Sequence, residues 1–305
     1  MLVSDEDGME NRNMSKQKSA KIMLSVSMII FGTLGVFTRN IGVTSGELAL
    51  YRAILAVLLL TGYFLVTKQK IEFKAIKKEL VLLLLSGVAM GINWILLFEA
   101  YKYTTISAAT LSYYFAPVIV TVACPLLFRE KLTRKQIVCF ILSTVGLVLI
   151  IGFDGLSGSG KHLFGILLGL GAAVFYATVI LLNKFIKKVE GIQRTFLQFL
   201  AAIVTLLPYV ALTGGTHFEV LDTKGWISLL IVGLVHTGIT YCMYFSALKE
   251  LKGQEVAILS YLDPLVAVII SVAVLGEKMT FLQLIGGVLI LGCTLWNELK
   301  ENLDN

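Results

Sequence analysis

An aspartate followed by a proline lies near the middle of a long apolar run, and this pair has chemistry suited to a binding site. Asp263 is about nine residues into the run 255–275, and Pro264 cannot donate a hydrogen bond to the Ser260 carbonyl. A carboxylate beside a freed carbonyl can hold an ammonium group or a proton. The alternative is structural, with Asp263 paired to Arg52 or accepting hydrogen bonds from backbone donors.

Polar and aromatic side chains interrupt two other apolar runs at a similar predicted depth. Asn93 and Trp94 lie in the third run, and Tyr113 and Tyr114 lie in the fourth. Aromatic rings near unwound backbone suit a ligand that combines an apolar part with an amine. Packing is the more frequent role of such rings, so the sequence leaves both interpretations open.

Arg52 and Glu99 are ionisable groups inside predicted spans, where a charge at the centre costs about 3 kcal/mol and usually faces a cavity or a partner. Arg52 either binds a substrate carboxylate or neutralises Glu99 or Asp263. Glu99 is predicted near the outer mouth, where pairing with Lys102 or Arg39 and a role in gating are equally compatible with the sequence.

A histidine and two prolines complete the candidate set, with roles in coupling or gating. His236 lies midway along the eighth run. It is a candidate proton relay, although a hydrogen-bonded packing histidine is the favoured interpretation. Pro117 and Pro264 occupy equivalent points of two half-sequences, which favours broken or moving helices over simple bends.

The amino-acid composition indicates the class of protein in which these residues occur. The 305 residues are 57% hydrophobic and 15% charged, whereas soluble domains carry about 25% charge. Mean hydropathy is +0.84. These values exclude a soluble enzyme and a disordered or fibrous chain, and they predict an all-α polytopic membrane protein. Ten apolar runs are long enough to be considered spans, namely 22–38, 46–67, 80–98, 106–128, 136–153, 163–182, 195–213, 225–248, 255–275 and 281–296.

The distribution of basic residues predicts the orientation of these spans. With the N-terminus inside, 20 of the 26 Lys and Arg residues fall in cytoplasmic segments and five in the opposite loops, while Arg52 lies within a span. This is a strong positive-inside bias. The sequence therefore predicts ten transmembrane helices in the inner (plasma) membrane, with both termini cytoplasmic.

The chain matches itself when shifted by 147 residues. Gly91 falls on Gly238, Pro117 falls on Pro264, and the pattern E-K-x-T-x-x-Q recurs from Glu130. Each half then has five helices, and an odd number inverts the second copy in the membrane, as in secondary transporters. The predicted division is a disordered tail at 1–20, a first five-helix repeat at 21–154, a Gly/Ser linker at 155–161, a second repeat at 162–299 and a tail at 300–305.

These features resemble the EamA family of the drug/metabolite transporter superfamily. The resemblance rests on the signatures at 130–133 and 276–280, on the Leu262-Asp263-Pro264 run and on the two five-helix halves, and it covers the chain after Lys21. It implies a secondary carrier of small metabolites, frequently an exporter of amino acids or related compounds. The midplane acid favours a cationic or zwitterionic substrate. Its transport would be driven by the gradient of the substrate itself or by proton exchange.

Two other classes compete with a carrier. A membrane enzyme acting on lipid-soluble substrates needs clustered acid–base or metal-binding groups, but His162, His217 and His236 are scattered. A multimeric pore does not need an inverted repeat within one chain. The sequence predicts no cofactor, no metal site and no nucleic-acid partner, and its expected partners are a small solute and membrane lipids. The linker Gly155–Lys161 resembles a phosphate-binding loop but has His162 where Ser or Thr is required.

Overall fold

The computed structural model describes residues 3–68, 73–128, 133–157, 160–189, 191–248, 250–251, 256 and 259–298, and every regular element in these ranges is helical. A short 3₁₀ turn covers Phe218–Val220, and a π-helical segment covers Ile231–Ile239. The α-helices are α1 (Val3–Gly32), α2 (Leu34–Thr38), α3 (Ser45–Thr67), α4 (Phe73–Tyr103), α5 (Ile106–Tyr113), α6 (Ala116–Phe128), α7 (Arg134–Ser157), α8 (Lys161–Phe185), α9 (Gly191–Leu212), α10 (Thr223–Leu230), α11 (Thr240–Leu248), α12 (Leu262–Ala273) and α13 (Phe281–Glu298).

Seven helical segments in the described part of the chain are long and apolar enough to cross a membrane. Three of them combine neighbouring elements, because α1 continues into α2, α5 continues into α6, and α10 continues through the π segment into α11. The other three predicted spans correspond to α7 and to the shorter apolar helices α12 and α13. The count of ten spans and the cytoplasmic termini stay predictions.

The first helix is longer than the sequence predicts. It begins at Val3, so it includes most of the segment predicted as a disordered tail. The segment lacks proline, and helix-forming Glu, Met, Lys and Gln residues lead directly into the apolar span. The helical backbone therefore extends beyond the apolar run that defined the predicted boundary.

Equivalent helices of the two halves pack against each other in opposite directions, as α7 and α13 illustrate. The Cys139 thiol lies 3.3 Å from the Cys293 carbonyl oxygen. About two turns further along α7, a Cβ atom on Gly146 would lie only 2.7 Å from the Gly286 carbonyl oxygen. Residue numbers rise along α7 as they fall along α13, so this pair is antiparallel. Glycine is required where the two backbones meet.

The pair α3 and α9 has the same geometry. A Cβ atom on Gly46 at the start of α3 would meet the Tyr209 ring near the end of α9, 2.6 Å away. At the other end, the Phe64 and Phe196 rings are 5.3 Å apart between centroids. Helices that match under the 147-residue shift therefore cross the molecule in opposite directions, which fits the predicted inversion.

The recurring T-x-x-Q pattern has a structural explanation in helix capping. The Thr133 hydroxyl accepts a hydrogen bond from the backbone N–H of Gln136, and the side-chain oxygen of Gln136 accepts one from the backbone N–H of Thr133. Thr280 and Gln283 form the same reciprocal pair at the start of α13. This capping box satisfies two backbone donors that a helix start otherwise leaves free. The T-x-x-Q spacing that the two halves share thus marks the start of the last helix in each half.

The outer surface of the bundle is apolar. Leu212, Val66 and Leu65 are 87%, 83% and 74% exposed. The largest buried cluster lies between α3, α4 and α9, and a second one joins α5, α6, α8 and α13. Large apolar side chains on the outside and small residues between helices are the pattern expected for a protein that is solvated by lipid.

Candidate functional site

Two helices are interrupted at equivalent points of the two halves. In the first half, Tyr114 and Phe115 form a turn between α5 and α6, and in the second half, Tyr261 forms a turn directly before α12. Pro117 and Pro264 each lie in the first turn of the helix that follows. A backbone N–H has no intrahelical acceptor there, so proline is tolerated at this point and the break costs no hydrogen bond.

The carboxylate of Asp263 reaches across to the opposite break. The Tyr114 hydroxyl donates a hydrogen bond of 2.5 Å to its Oδ2 atom. The alternative pairing of Asp263 with Arg52 is therefore not the one the structure adopts. The two breaks meet through one tyrosine from the first half and one acid from the second, which brings two of the predicted site residues into direct contact.

A group of tyrosine rings surrounds this contact. Tyr113 stacks on Tyr176 of α8 with ring centroids 5.1 Å apart, and its edge meets the Tyr114 ring at 5.8 Å. Tyr176 is 37% exposed even though one face of its ring is covered by Tyr113. The tyrosine group is therefore not completely enclosed by the protein.

Arg52 lies on α3 and is 3% exposed. Its guanidinium carbon sits 4.5 Å from the centroid of the Trp94 ring and 5.3 Å from that of Phe98. Its Nε atom donates to the Thr237 hydroxyl at 3.0 Å. Within the described ranges no carboxylate lies within 4.0 Å of Arg52, so its charge is held by aromatic faces and one hydroxyl.

The positive and negative groups lie near the same phenols. Tyr101 and Tyr241 are each close to both Arg52 and Asp263. Tyr241 also packs edge-on against Phe199, with centroids 5.4 Å apart. The site therefore contains one cation and one anion near the same aromatic side chains, without an ion pair between them.

The helix that holds Arg52 in place is itself irregular. Thr237 in the π segment and Thr240 directly after it each donate a hydroxyl hydrogen bond of 2.8 Å to a carbonyl five residues earlier. The Nε2 atom of His236 lies 2.8 Å from the Thr33 hydroxyl, at the point where α1 gives way to α2. A Cβ atom on Gly32 would lie 2.6 Å from the Asp263 carbonyl oxygen. The irregular segments of α1, the π helix and α12 therefore meet, as they commonly do at functional sites.

His236 itself has the environment of a packing residue. It is 1% exposed, and its Nδ1 atom lies 3.3 Å from the Ile231 carbonyl oxygen. The Phe37 ring meets its imidazole edge-on at 5.1 Å. Both ring nitrogens thus have partners within the protein.

Two other predicted residues lie outside the tyrosine group. The Asn93 amide donates to the Ala172 carbonyl at 2.6 Å and is buried between α4 and α8. Glu99 accepts from the Ser45 hydroxyl at 2.5 Å and pairs with Lys102 at 3.2 Å. Asn93 therefore joins α4 to α8, and Glu99 pairs with Lys102, one of the two partners expected from the sequence.

A polar cluster around Glu277 was not predicted as part of the site. Its carboxylate accepts from the Ile106 backbone amide at 2.9 Å, pairs with Arg39 and accepts from the Ser271 hydroxyl. Ser271 lies 2.7 Å from the Ser107 hydroxyl. The cluster joins the end of the first span, the start of α5 and the loop after α12, so it fastens the two halves together beyond the tyrosine group.

Tyr101, Tyr176 and Tyr241 were also not predicted as site residues. Tyr176 and Tyr241 lie in apolar runs without a charged or proline neighbour, and Tyr101 lies beyond the end of the predicted run 80–98. Only the packing of α4, α8 and α11 brings these rings to Asp263. Glu47 was detectable, since Thr44-x-x-Glu47 has the spacing of a capping box. That box is present, and the Glu47 carboxylate also accepts from the His217 amide at 2.6 Å.

In the part of the chain that the structure describes, no three His, Cys, Asp or Glu side chains are grouped to hold a metal ion. The chemistry of the site is that of one acid, one guanidinium and several phenols. Such groups can bind and orient a polar molecule and can exchange protons with it.

A model of the EamA-like transporter family matches the sequence twice, over residues 18–152 and 163–297. The uncharacterized transporter YxxF of Bacillus subtilis (strain 168) is 33% identical over 279 residues, which cover 90% of this chain and 88% of that protein. A "Probable amino-acid metabolite efflux pump" of Salmonella typhimurium (strain LT2) is 30% identical over 175 residues, which cover 54% of this chain and 58% of the pump.

The fold is also similar to that of a solved protein. The two structures superpose with a TM-score of 0.59 over 91% of this chain and 96% of the other, at 14% sequence identity. At that identity the likeness concerns the fold alone. The family match and the named relatives therefore carry the functional comparison.

Proposed function

Because the chain belongs to the EamA-like transporter family, we propose that it is a secondary-active exporter of an amino acid or a closely related metabolite. It is a multi-pass membrane protein whose relatives are named transporters. The proposal adds a substrate class, an outward direction and a mechanism of alternating access in the inner (plasma) membrane. The efflux relative of Salmonella typhimurium supports the direction and the substrate class.

The observation that carries the proposal is the placement of Asp263 and Arg52 around shared tyrosines. Asp263 is hydrogen-bonded to Tyr114, and Arg52 lies over Trp94, without an ion pair between the two charges. An amino acid would present its ammonium group to the carboxylate and its carboxylate to the guanidinium. Tyr113 and the neighbouring rings would cover the apolar part of the solute.

The same residues provide a route for coupling to protons. A carboxylate whose partner is a neutral phenol can take up a proton when the substrate ammonium leaves. Protonation of Asp263 would then allow the empty carrier to return without carrying a buried negative charge. The exchange of one cationic group for one proton at Asp263 would couple export to the proton gradient.

The breaks beside Pro117 and Pro264 would be the points at which the two halves change their relative tilt. Neither break needs an intrahelical hydrogen bond to be broken, because the prolines stand where none is made. His236 and Thr33 link the π segment to the bend of the first span, so movement of one would move the other. Glu99 and Lys102 would stand at one mouth of the pathway.

Reconstitution into liposomes tests this function. Liposomes loaded with a single unlabelled amino acid should accumulate the labelled form by counterflow when it is a substrate, and Asp263→Asn should reduce the initial rate about tenfold or more. Glu219→Gln, which neutralises an exposed carboxylate outside the site, is the matched control and should retain the wild-type rate. Absence of counterflow for every amino acid in the panel contradicts the substrate class.

A further inference from the structure

A groove on the outer face of the bundle has the composition of a lipid site. It lies between α4 and α9, with a volume of about 160 Å³. Leu80, Leu84 and Val204 line it and are 44%, 43% and 67% exposed, so it opens outward. It closes where the two helices meet, since a Cβ atom on Gly87 would lie 2.6 Å from the Gln198 carbonyl oxygen.

The open end of this groove is strongly basic. Lys77 lies on the same side of α4 as Leu80 and Leu84, which are three and seven residues further on. Segments 68–79 and 184–194 contain nine Lys and Arg residues and three Glu residues, an excess equal to the net charge of +6 of the whole chain. The side chains of Lys77, Lys78, Lys187 and Lys188 are exposed.

A buried glutamate holds the second basic segment beside the groove. The Glu79 carboxylate accepts from the backbone amides of Lys187, Lys188 and Val189 at distances of 2.8 to 3.1 Å. Val189 then packs against Leu83, which lines the groove. Glu79 is 7% exposed and its oxygens accept from backbone donors, while the side chains of Lys187 and Lys188 beside it are exposed.

We propose that this groove and its lysines bind one anionic phospholipid of the surrounding bilayer. An acyl chain would lie in the groove against Leu80 and Leu84, and the phosphate would face Lys77, Lys187 and Lys188. The occupant follows from charge complementarity and position, because an outward apolar groove that ends in basic residues at a predicted cytoplasmic surface matches a lipid with an anionic head group. This site is separate from the tyrosine group and does not depend on what the protein transports.

Lipid titration of the purified full-length chain in mild detergent tests the proposal. Dioleoyl phosphatidylglycerol should bind at a stoichiometry of one, seen by native mass spectrometry, and raise the melting temperature. Its affinity should exceed that of dioleoyl phosphatidylcholine about tenfold or more. Equal affinity for the two lipids, or equal protection by free glycerol phosphate, would overturn the proposal.

Paired variants separate the head-group contacts from the groove. Lys187→Gln/Lys188→Gln and Lys77→Gln/Lys78→Gln should each weaken phosphatidylglycerol binding about tenfold or more and leave phosphatidylcholine binding unchanged. Lys16→Gln/Lys18→Gln makes the same charge change on α1 and should have no effect on this site.

The apolar part of the site has its own variant and control. Leu84→Trp fills the groove and should weaken the binding of both lipids, whereas Leu58→Trp on the exposed side of α3 should not. All variants are surface changes, and their melting temperatures without lipid show that they fold. If the control variants lose as much binding as the groove variants, the lipid site lies elsewhere and the proposal is wrong.

Discussion

The two helix breaks have the same backbone but different chemistry. Under the 147-residue shift, Tyr114 corresponds to Tyr261, the two prolines correspond to each other, and Ala116 corresponds to Asp263. Both breaks end in a helix whose first turn contains proline. The first break shows that the interruption forms without an acid. The carboxylate of the second break is therefore an addition to the scaffold rather than a requirement of it.

The positive charge shows the reverse asymmetry. Arg52 of the first half corresponds to Phe199 of the second, and Trp94 corresponds to Tyr241. Both pairs are in contact, since Arg52 lies 4.5 Å from the Trp94 ring and Phe199 lies 5.4 Å from the Tyr241 ring. Each half thus supplies one charge to the centre, opposite an apolar counterpart. A duplicated scaffold can bind an asymmetric, dipolar solute when each copy changes a different residue.

The largest effect is expected from making the second break like the first. Asp263→Ala should lower the rate of amino-acid counterflow by roughly 100-fold, because a charged hydrogen-bonding partner of the substrate is lost. The melting temperature should change little, because Ala116 occupies the equivalent place without harm to the first break. Proteoliposome flux and thermal unfolding of the same preparation check the two statements. Unfolding of the variant would show that the acid is part of the scaffold.

Removal of the positive charge should have the next largest effect. Arg52→Gln keeps a hydrogen-bond donor near Thr237 and should raise the KM for an amino acid about tenfold, with a smaller change in the maximum rate. Initial rates over a range of substrate concentrations measure both parameters. Lys224→Gln, which removes an exposed charge from α10, should leave both unchanged. An unchanged KM for Arg52→Gln would mean that the guanidinium only fills space over Trp94.

The contact between the halves at Glu277 should affect stability more than substrate binding. Glu277→Gln weakens its interactions with Arg39, Ser271 and the Ile106 amide and should destabilise the protein by about 2 kcal/mol. Thermal unfolding in detergent measures the loss. Glu219→Gln is the control and should unfold like the wild type. A larger change in KM than in melting temperature would instead place Glu277 on the substrate pathway.

The smallest effect is expected at the phenol that contacts the acid. Tyr114→Phe keeps the ring and removes the hydrogen bond to Asp263, which is worth about 1 kcal/mol and corresponds to a change in KM of about fivefold. Tyr103→Phe removes a hydroxyl from a ring that packs on Phe164, and it should leave transport unchanged. Equal effects of the two variants would show that the phenol does not position Asp263.

The sequence was sufficient for the helical class and for the residues that lipid disfavours. Asp263 and Arg52 were identifiable because charge is scarce within apolar runs. The 147-residue shift identified the two prolines as a pair. Helix ends were less accessible, since α1 continues to Val3 on helix-forming polar residues that carry no apolar signal.

Partners across the bundle could not be predicted from one sequence. Tyr176 and Tyr241 have no local feature that sets them apart from packing tyrosines, and only the crossing of α8 and α11 brings them to the site. Asn93 illustrates the opposite case, because its depth made it a candidate while its amide is used by the Ala172 carbonyl. A polar residue in lipid indicates that a partner exists, and the tertiary packing determines which one.

If Asp263 and Arg52 bind opposite ends of one solute, substrate fragments that carry only one of the two charged groups should separate their roles. Competition against counterflow is measured for a transported amino acid, for its amine without the carboxylate and for its acid without the amine. Asp263→Asn should weaken competition by the amine and leave the acid unaffected, whereas Arg52→Gln should do the reverse. Competition by the intact amino acid should be weakened by both substitutions. If both variants weaken competition by all three compounds equally, the two charges do not bind separate ends of the solute.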